Sequence, residues 1–218
     1  MRHIAITGGI GSGKSYVCRL LEQRGISVYD CDAAAKRLMR TSPTLHRQLT
    51  ELIGPEAYES HEAHKPNKPA HKPHEAHKPH EPHEPNAPHE FILNKAAVAR
   101  FLLASAENAQ AIDDIVHPAV AADFLQSGKE WLESAILFQS GFDRRVHFDA
   151  IVCVTAPDEV RIRRIMLRDD ISRERAAQWL AGQWPQEEVL SRSDYEIVND
   201  GQQPLQPQIE TIIEKIKE

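Results

Sequence analysis

Eight consecutive residues carry the clearest chemistry in this chain: Gly8-Gly9-Ile10-Gly11-Ser12-Gly13-Lys14-Ser15 fits G-x-x-x-x-G-K-[ST], the pattern of a phosphate-binding loop, without a mismatch. Glycines at these positions let the backbone curl so that successive N–H groups face a phosphate, and a helix beginning there adds the positive end of its dipole. Lys14 is placed to neutralise β- and γ-phosphates, and Ser15 to offer its hydroxyl to a Mg²⁺ ion bridging them. The run therefore predicts bound ATP with Mg²⁺, held by Gly9, Ile10, Gly11, Ser12, Gly13, Lys14 and Ser15. The bland alternative is a glycine-rich turn with a solvated lysine.

A phosphate loop alone does not separate kinases from switches and motors; a group that handles the attacking nucleophile is also needed. Asp30 and Asp32 follow the second strand-like run, and in open parallel sheets ligands bind beyond the carboxyl ends of the strands. On pattern alone each aspartate reads equally well as a helix cap or an exposed charge. Asp32 sits further past the strand end and is the better placed to meet an acceptor. Arg164 and Arg168 are four residues apart on an expected helix, hence on one face, where a mobile pair could clamp a transferring phosphate. A solvated basic face is the alternative. His117 precedes Pro118 at an expected helix boundary, and a structural histidine is as good a reading as a ligand contact.

These residues need elements to position them. Short apolar runs alternate with helical patterns, the signature of a parallel sheet covered by helices. Strands are expected at Ile4 to Thr7, Ile26 to Tyr29, Ala135 to Phe138, Ile151 to Thr155 and Tyr195 to Val198. Val17, Leu20 and Leu21 recur at helical spacing from Ser15 until Gly25, which closes a βαβ unit. Ser42, Asn94, Ser105 and Ser172 each precede a helical run and are expected to cap it. The stretch from about Asp32 to Gly128 thus reads as helical with one interruption, and no strand is needed there.

That interruption, about Ser60 to Glu90, holds eight of the 12 histidines and seven of the 14 prolines. Proline at this density excludes a helix, and so few apolar side chains leave nothing to offset ordering entropy, so disorder or polyproline II is expected. His71, His74, His77, His80 and His83 recur every third residue. Three residues of polyproline II advance about 9 Å, too far for neighbours to chelate one ion through bonds of about 2 Å. The segment reads as a solvated insert with at most adventitious metal affinity.

The totals bound the rest. A chain of 218 residues, 41% hydrophobic, is long enough for one α/β core with a smaller appendage. A net charge of −6, with Lys and Arg spread along the chain, gives no basic stripe for nucleic acid. No apolar run reaches the roughly 18 residues of a membrane helix, so a soluble, cytoplasmic protein without membrane contact is expected, a monomer or weak homo-oligomer. Cys18, Cys31 and Cys153 lack metal or redox spacing and read as reduced core thiols.

Taken together, TGGIGSGKS at Thr7 to Ser15, YDCD at Tyr29 to Asp32, His117-Pro118, ILFQSGFD at Ile136 to Asp143, RRIMLRD at Arg163 to Asp169, Gln183 and VNDG at Val198 to Gly201 resemble the dephospho-coenzyme A kinase family. The resemblance spans nearly the whole chain except the His/Pro-rich insert. It implies a P-loop kinase-like α/β fold with a five-stranded parallel sheet: a core at about 1–32, 129–165 and 190–218, a helical substrate-binding subdomain at about 33–128 and a lid at about 166–189. It implies transfer of phosphate from MgATP to the 3′-hydroxyl of the ribose of dephospho-coenzyme A. Carried over residue by residue, Asp32 becomes the general base, Lys14 and Arg168 the groups on the transferring phosphate, and Arg164 and His117 substrate contacts. Asn199 falls near the adenine.

Two departures stand out. Gln139 occupies a position where the family usually has Glu, after a strand expected at 135–138, and the insert replaces a short loop of the substrate subdomain. The competing readings are another small-molecule P-loop kinase, acting on a nucleoside or nucleotide, and a non-catalytic nucleotide-binding module. A guanine switch would show an N-K-x-D-like base reader, and the sequence has none.

Overall fold

The computed structural model describes residues 2–59 and 90–218; the readings made for the His/Pro-rich insert fall outside the described residues, save Glu90. The chain divides into two compact units, Met1–Lys36 with His117–Glu218, and Arg37–Val116.

The first unit is built on β1 (Ile4–Thr7), β2 (Val28–Asp30), β3 (Trp131–Glu133), β4 (Ala150–Thr155) and β5 (Tyr195–Val198), hydrogen-bonded in the order β2-β3-β1-β4-β5. Every pairing is parallel. Ile4 stands level with Trp131 on one side and Ala150 on the other. All four residues of β1 are buried, as expected of the central strand of a sheet covered on both faces. Ile6, Val17, Leu21, Val152, Val154 and Ile209 are at most 2% exposed and belong to one apolar cluster, joining the sheet to α1 (Lys14–Glu22) and α9 (Leu205–Lys217). A second, smaller cluster of Ile162, Ile165 and Ala176 binds α6 (Asp158–Asp169) to α7 (Arg173–Ala181). Between α7 and β5 lies the short α8 (Gln186–Ser191).

Helix α2 (Cys31–Thr41) starts directly at the end of β2, and α5 (Ala106–Gln126) leads back toward β3. The second unit holds α3 (Pro43–Ile53) and α4 (Lys95–Ala104), with Leu45, Leu49, Ala97 and Val98 among its buried side chains. Ser42, Asn94, Ser105 and Ser172 all cap, each accepting a backbone N–H three residues on. Within this unit Glu59 N–H donates to Ile92 C=O and Asn94 N–H to Ala57 C=O, with Tyr58 bridged antiparallel to Leu93. The chain ends flanking residues 60–89 are thereby brought together.

Three expectations need correction. The strand expected at Ala135 to Phe138 is found at Trp131–Glu133; residues 135–141 form tight turns, closed by hydrogen bonds such as Ser140 N–H to Ile136 C=O and Phe142 N–H to Leu137 C=O. The buried Leu137 and Phe138 supplied the apolar run, but the turns bury them as well as a strand does. The second strand runs Val28–Asp30 and not from Ile26. Pro118 lies inside α5, so His117 is no boundary residue. Among the described residues no helix is long and apolar enough to cross a membrane.

Candidate active site

The phosphate loop connects the carboxyl end of β1 to the first turn of α1, where Gly13 serves as the N-cap in a left-handed conformation (φ +94°). A side chain there would be strained and would also run into the Asn199 amide, so the position requires glycine. Gly9 is glycine for a different reason: a Cβ would meet the Arg161 guanidinium.

Lys14 heads α1 and is 8% exposed. Its ammonium contacts Gly9 C=O at 3.4 Å and lies 3.7 Å from Glu133 Oε1, the last residue of β3. Burial dominates both groups: it draws the lysine below its ordinary value and pushes the carboxyl above its own, while the charge of each partner opposes the shift. Asp30 and Asp32 also raise Glu133 by like-charge repulsion. The consequence is a lysine kept poorly solvated, which strengthens its interaction with any anion that enters.

Lys14, Ser15, Asp32, Glu133, Arg168 and Gln183 line one cavity of about 660 Å³. The two aspartates are not equivalent. Asp30 Oδ1 accepts the backbone N–H of Ala33 at 2.8 Å and so caps α2. Asp32 lies one residue into the helix; both aspartates are exposed and line the cavity with the loop.

The two arginines expected to work as a pair both line this cavity and differ in their partners. Arg168 is exposed at the cavity and pairs with Asp169 at 2.8 Å. Arg164 braces the loop: its Nη1 donates to Gly11 C=O and Ser12 C=O, and its Nη2 to Asn199 C=O and Oδ1. Asn199 completes the brace by donating Nδ2 to Ser12 C=O at 2.8 Å, and its backbone N–H joins Thr155 C=O. Its side chain is thus engaged with the loop backbone in this structure. His117 sits in the middle of α5 and is not among the residues lining this cavity. Gln139 is exposed and lines a small recess with Gly9, Gln183 and Trp184; it is not among the residues lining the Lys14 cavity, with which that recess shares Ala135, Ile136 and Gln183.

Two contributors were missed. Glu133 was hidden because the strand was set on the more apolar run downstream. Arg161, 3% exposed, donates Nε to Ile10 C=O at 3.0 Å and Nη1 to Asp158 at 3.1 Å. A signal existed: Arg161, Arg164 and Arg168 recur at i, i+3 and i+7, one helical stripe.

A glycine-rich loop between β1 and α1, on an all-parallel five-stranded sheet with a buried lysine and an aspartate sharing its cavity, defines a P-loop kinase. The family model described as dephospho-CoA kinase matches residues 2–63 and 88–204. The chain belongs to the dephospho-CoA kinase family. A dephospho-CoA kinase of Bacteroides fragilis is 37% identical over 217 residues, spanning 96% of this chain and 90% of that protein. Among solved structures, TT1252 of Thermus thermophilus superposes with a TM-score of 0.69 at 27% identity, over 99% of this chain and 96% of that one. Dephospho-CoA kinase from Campylobacter jejuni shares the fold, with a TM-score of 0.60 at 18% identity over 99% and 98% of the two chains.

Proposed function

We propose that this protein transfers the γ-phosphate of ATP to the 3′-hydroxyl of the ribose of dephospho-coenzyme A. One observation carries the residue-level reading: Asp30 and Asp32 both line the cavity of Lys14 and Ser15, and of the two Asp30 already accepts the Ala33 N–H through Oδ1 at the start of α2. The family and the curated relatives support the choice of acceptor.

Asp32 accepts the proton as the ribose oxygen attacks the γ-phosphorus; the O–H bond and the bond to ADP break as the new P–O bond forms. Lys14 draws charge from the β- and γ-phosphates. Arg168, on the stretch we assign as lid (166–189), closes over the transferring group. Arg164 and Asn199 hold the loop in shape, so their contribution to nucleotide binding passes through Gly11 and Ser12. The Ser15 hydroxyl at this site is an oxygen donor of the kind Mg²⁺ takes, and Ser15 would hold the ion that arrives with ATP and neutralises its phosphates.

The test is ADP release from MgATP with dephospho-coenzyme A, nucleosides and nucleoside monophosphates offered in parallel. Acceptor-dependent turnover with dephospho-coenzyme A alone is expected. Turnover confined to a nucleoside or nucleotide would assign the site to a different acceptor.

A further inference from the structure

Ile10 is held on every side by the helices that follow β4. Its side chain packs against the cluster of Ile162, Ile165 and Ala176, its carbonyl accepts Arg161 Nε, and its N–H donates to Gln183 Oε1 at 2.6 Å. Gln183 stands two residues beyond α7, its own N–H returning to Leu180 C=O. The hydrogen bond from Ile10 belongs to the same peptide unit whose other end, Gly9 C=O, contacts the Lys14 ammonium.

A trans peptide is planar, and its C=O and N–H point to opposite sides. An acceptor drawing on the Ile10 N–H from one side therefore fixes the Gly9 carbonyl on the other, facing Lys14. The Gly9 carbonyl also accepts the Ser12 N–H at 3.2 Å; without the Gln183 acceptor that bond alone sets the unit, and any rotation brings an N–H toward the ammonium, donor against donor. We propose that Gln183 is a positioning residue for Lys14: it orients the Gly9–Ile10 peptide, and through it the ammonium that meets the ATP phosphates. The inference rests on the nucleotide-binding part of the proposed function and not on the identity of the acceptor.

The test is a double-variant cycle read by calorimetric titration of a non-hydrolysable ATP analogue with Mg²⁺. Gln183→Leu removes the acceptor and is expected to weaken binding about tenfold, the scale of one hydrogen bond that organises a charge. In a Lys14→Ala background the same change is expected to alter binding by less than about twofold, because the group it orients is gone. Gln183→Glu keeps an oxygen at the same reach and is expected to retain binding within about threefold. An equal loss from Gln183→Leu in both backgrounds, or no loss in the wild-type background, overturns the inference. If Gln183→Leu does not fold, Gln183→Glu decides: binding lost despite a preserved acceptor also overturns it. ADP release by the wild-type protein with dephospho-coenzyme A reads out the proposed reaction separately.

Discussion

Glu133→Gln tests whether Lys14 depends on a single counter-charge. The Lys14 and Glu133 side chains are 9% and 14% exposed, with Nζ and Oε1 3.7 Å apart. Removing one partner of a buried pair costs about 3–5 kcal/mol because the other charge is stranded in a poorly polarisable interior. Here Gly9 C=O remains as an acceptor and the repulsion of Glu133 by Asp30 and Asp32 disappears, which brings the expected loss to about 2–3 kcal/mol. In a chain of this size that corresponds to a fall in Tm of roughly 5–10 °C. Calorimetric melting of Glu133→Gln, Lys14→Met and the double variant separates the origins. The double variant is expected to melt above Glu133→Gln, since the stranded ammonium is gone. MgATP, whose phosphates restore a counter-charge, is expected to raise the Tm of Glu133→Gln by more than that of the wild type. Additive losses in the double variant, or a Glu133→Gln protein melting with the wild type, would refute the reasoning.

The remaining predictions concern the acceptor side and the periphery. Asp32→Asn keeps the shape of the carboxylate and is expected to lower kcat by about 10²- to 10⁴-fold with little change in MgATP affinity, whereas Asp30→Asn, which preserves a capping oxygen, is expected to be the milder change; steady-state kinetics in which only Asp30→Asn loses turnover would reverse the assignment. Gln139→Glu is expected to change kcat/KM by less than about twofold, because the side chain is exposed and a solvated charge is largely screened; a several-fold gain would show that the position reaches the substrate. Replacing residues 60–89 with a short Asp-Gly turn is expected to leave turnover unchanged and to shift stability by no more than about 1–2 kcal/mol, the loop-closure difference, because the flanking chain is already joined at Glu59 to Ile92 and Ala57 to Asn94. Burial pushes the Cys18 thiol up to about 12 and Cys153 to about 11; thiolate is therefore scarce at pH 8, and native protein is expected to react with an aromatic disulfide reagent far more slowly than unfolded protein.

The phosphate loop was legible because its function requires a contiguous pattern: strand, glycines, lysine, hydroxyl and helix are adjacent in the chain, and backbone geometry leaves little choice among residue types. Strands β1, β4 and β5 and the four capped helices were legible for a similar local reason, an apolar run or a capping side chain at the position where the element begins. What was not legible depends on burial decided elsewhere. Trp131–Glu133 is only three residues long, shorter than the downstream run of Ala135 to Phe138, and it is a strand because β1 and β2 flank it at the register Ile4 and Val28 to Trp131. Glu133 then reaches Lys14 because the strand ends there, which no local feature of Leu132-Glu133-Ser134 announces.

Asn199 and Arg164 show the complementary difficulty. The sequence points Asn199 toward the adenine and Arg164 toward the substrate, but residue type alone does not say whether an amide or guanidinium faces a ligand or the protein. The decision rests on competition for donors. Gly11 and Ser12 turn their carbonyls toward α6 and the residue after β5, and a buried carbonyl without a partner costs about as much as a lost hydrogen bond. Arg164 supplies donors to both carbonyls, and Asn199 adds a second to Ser12. A loop that turns its N–H groups toward an anion must turn C=O groups away from it, so a P-loop calls for donors behind it as well as a ligand in front. The arginine stripe of α6 and the asparagine after β5 answer that need, and their chemistry is read correctly only once the curvature of the loop is known.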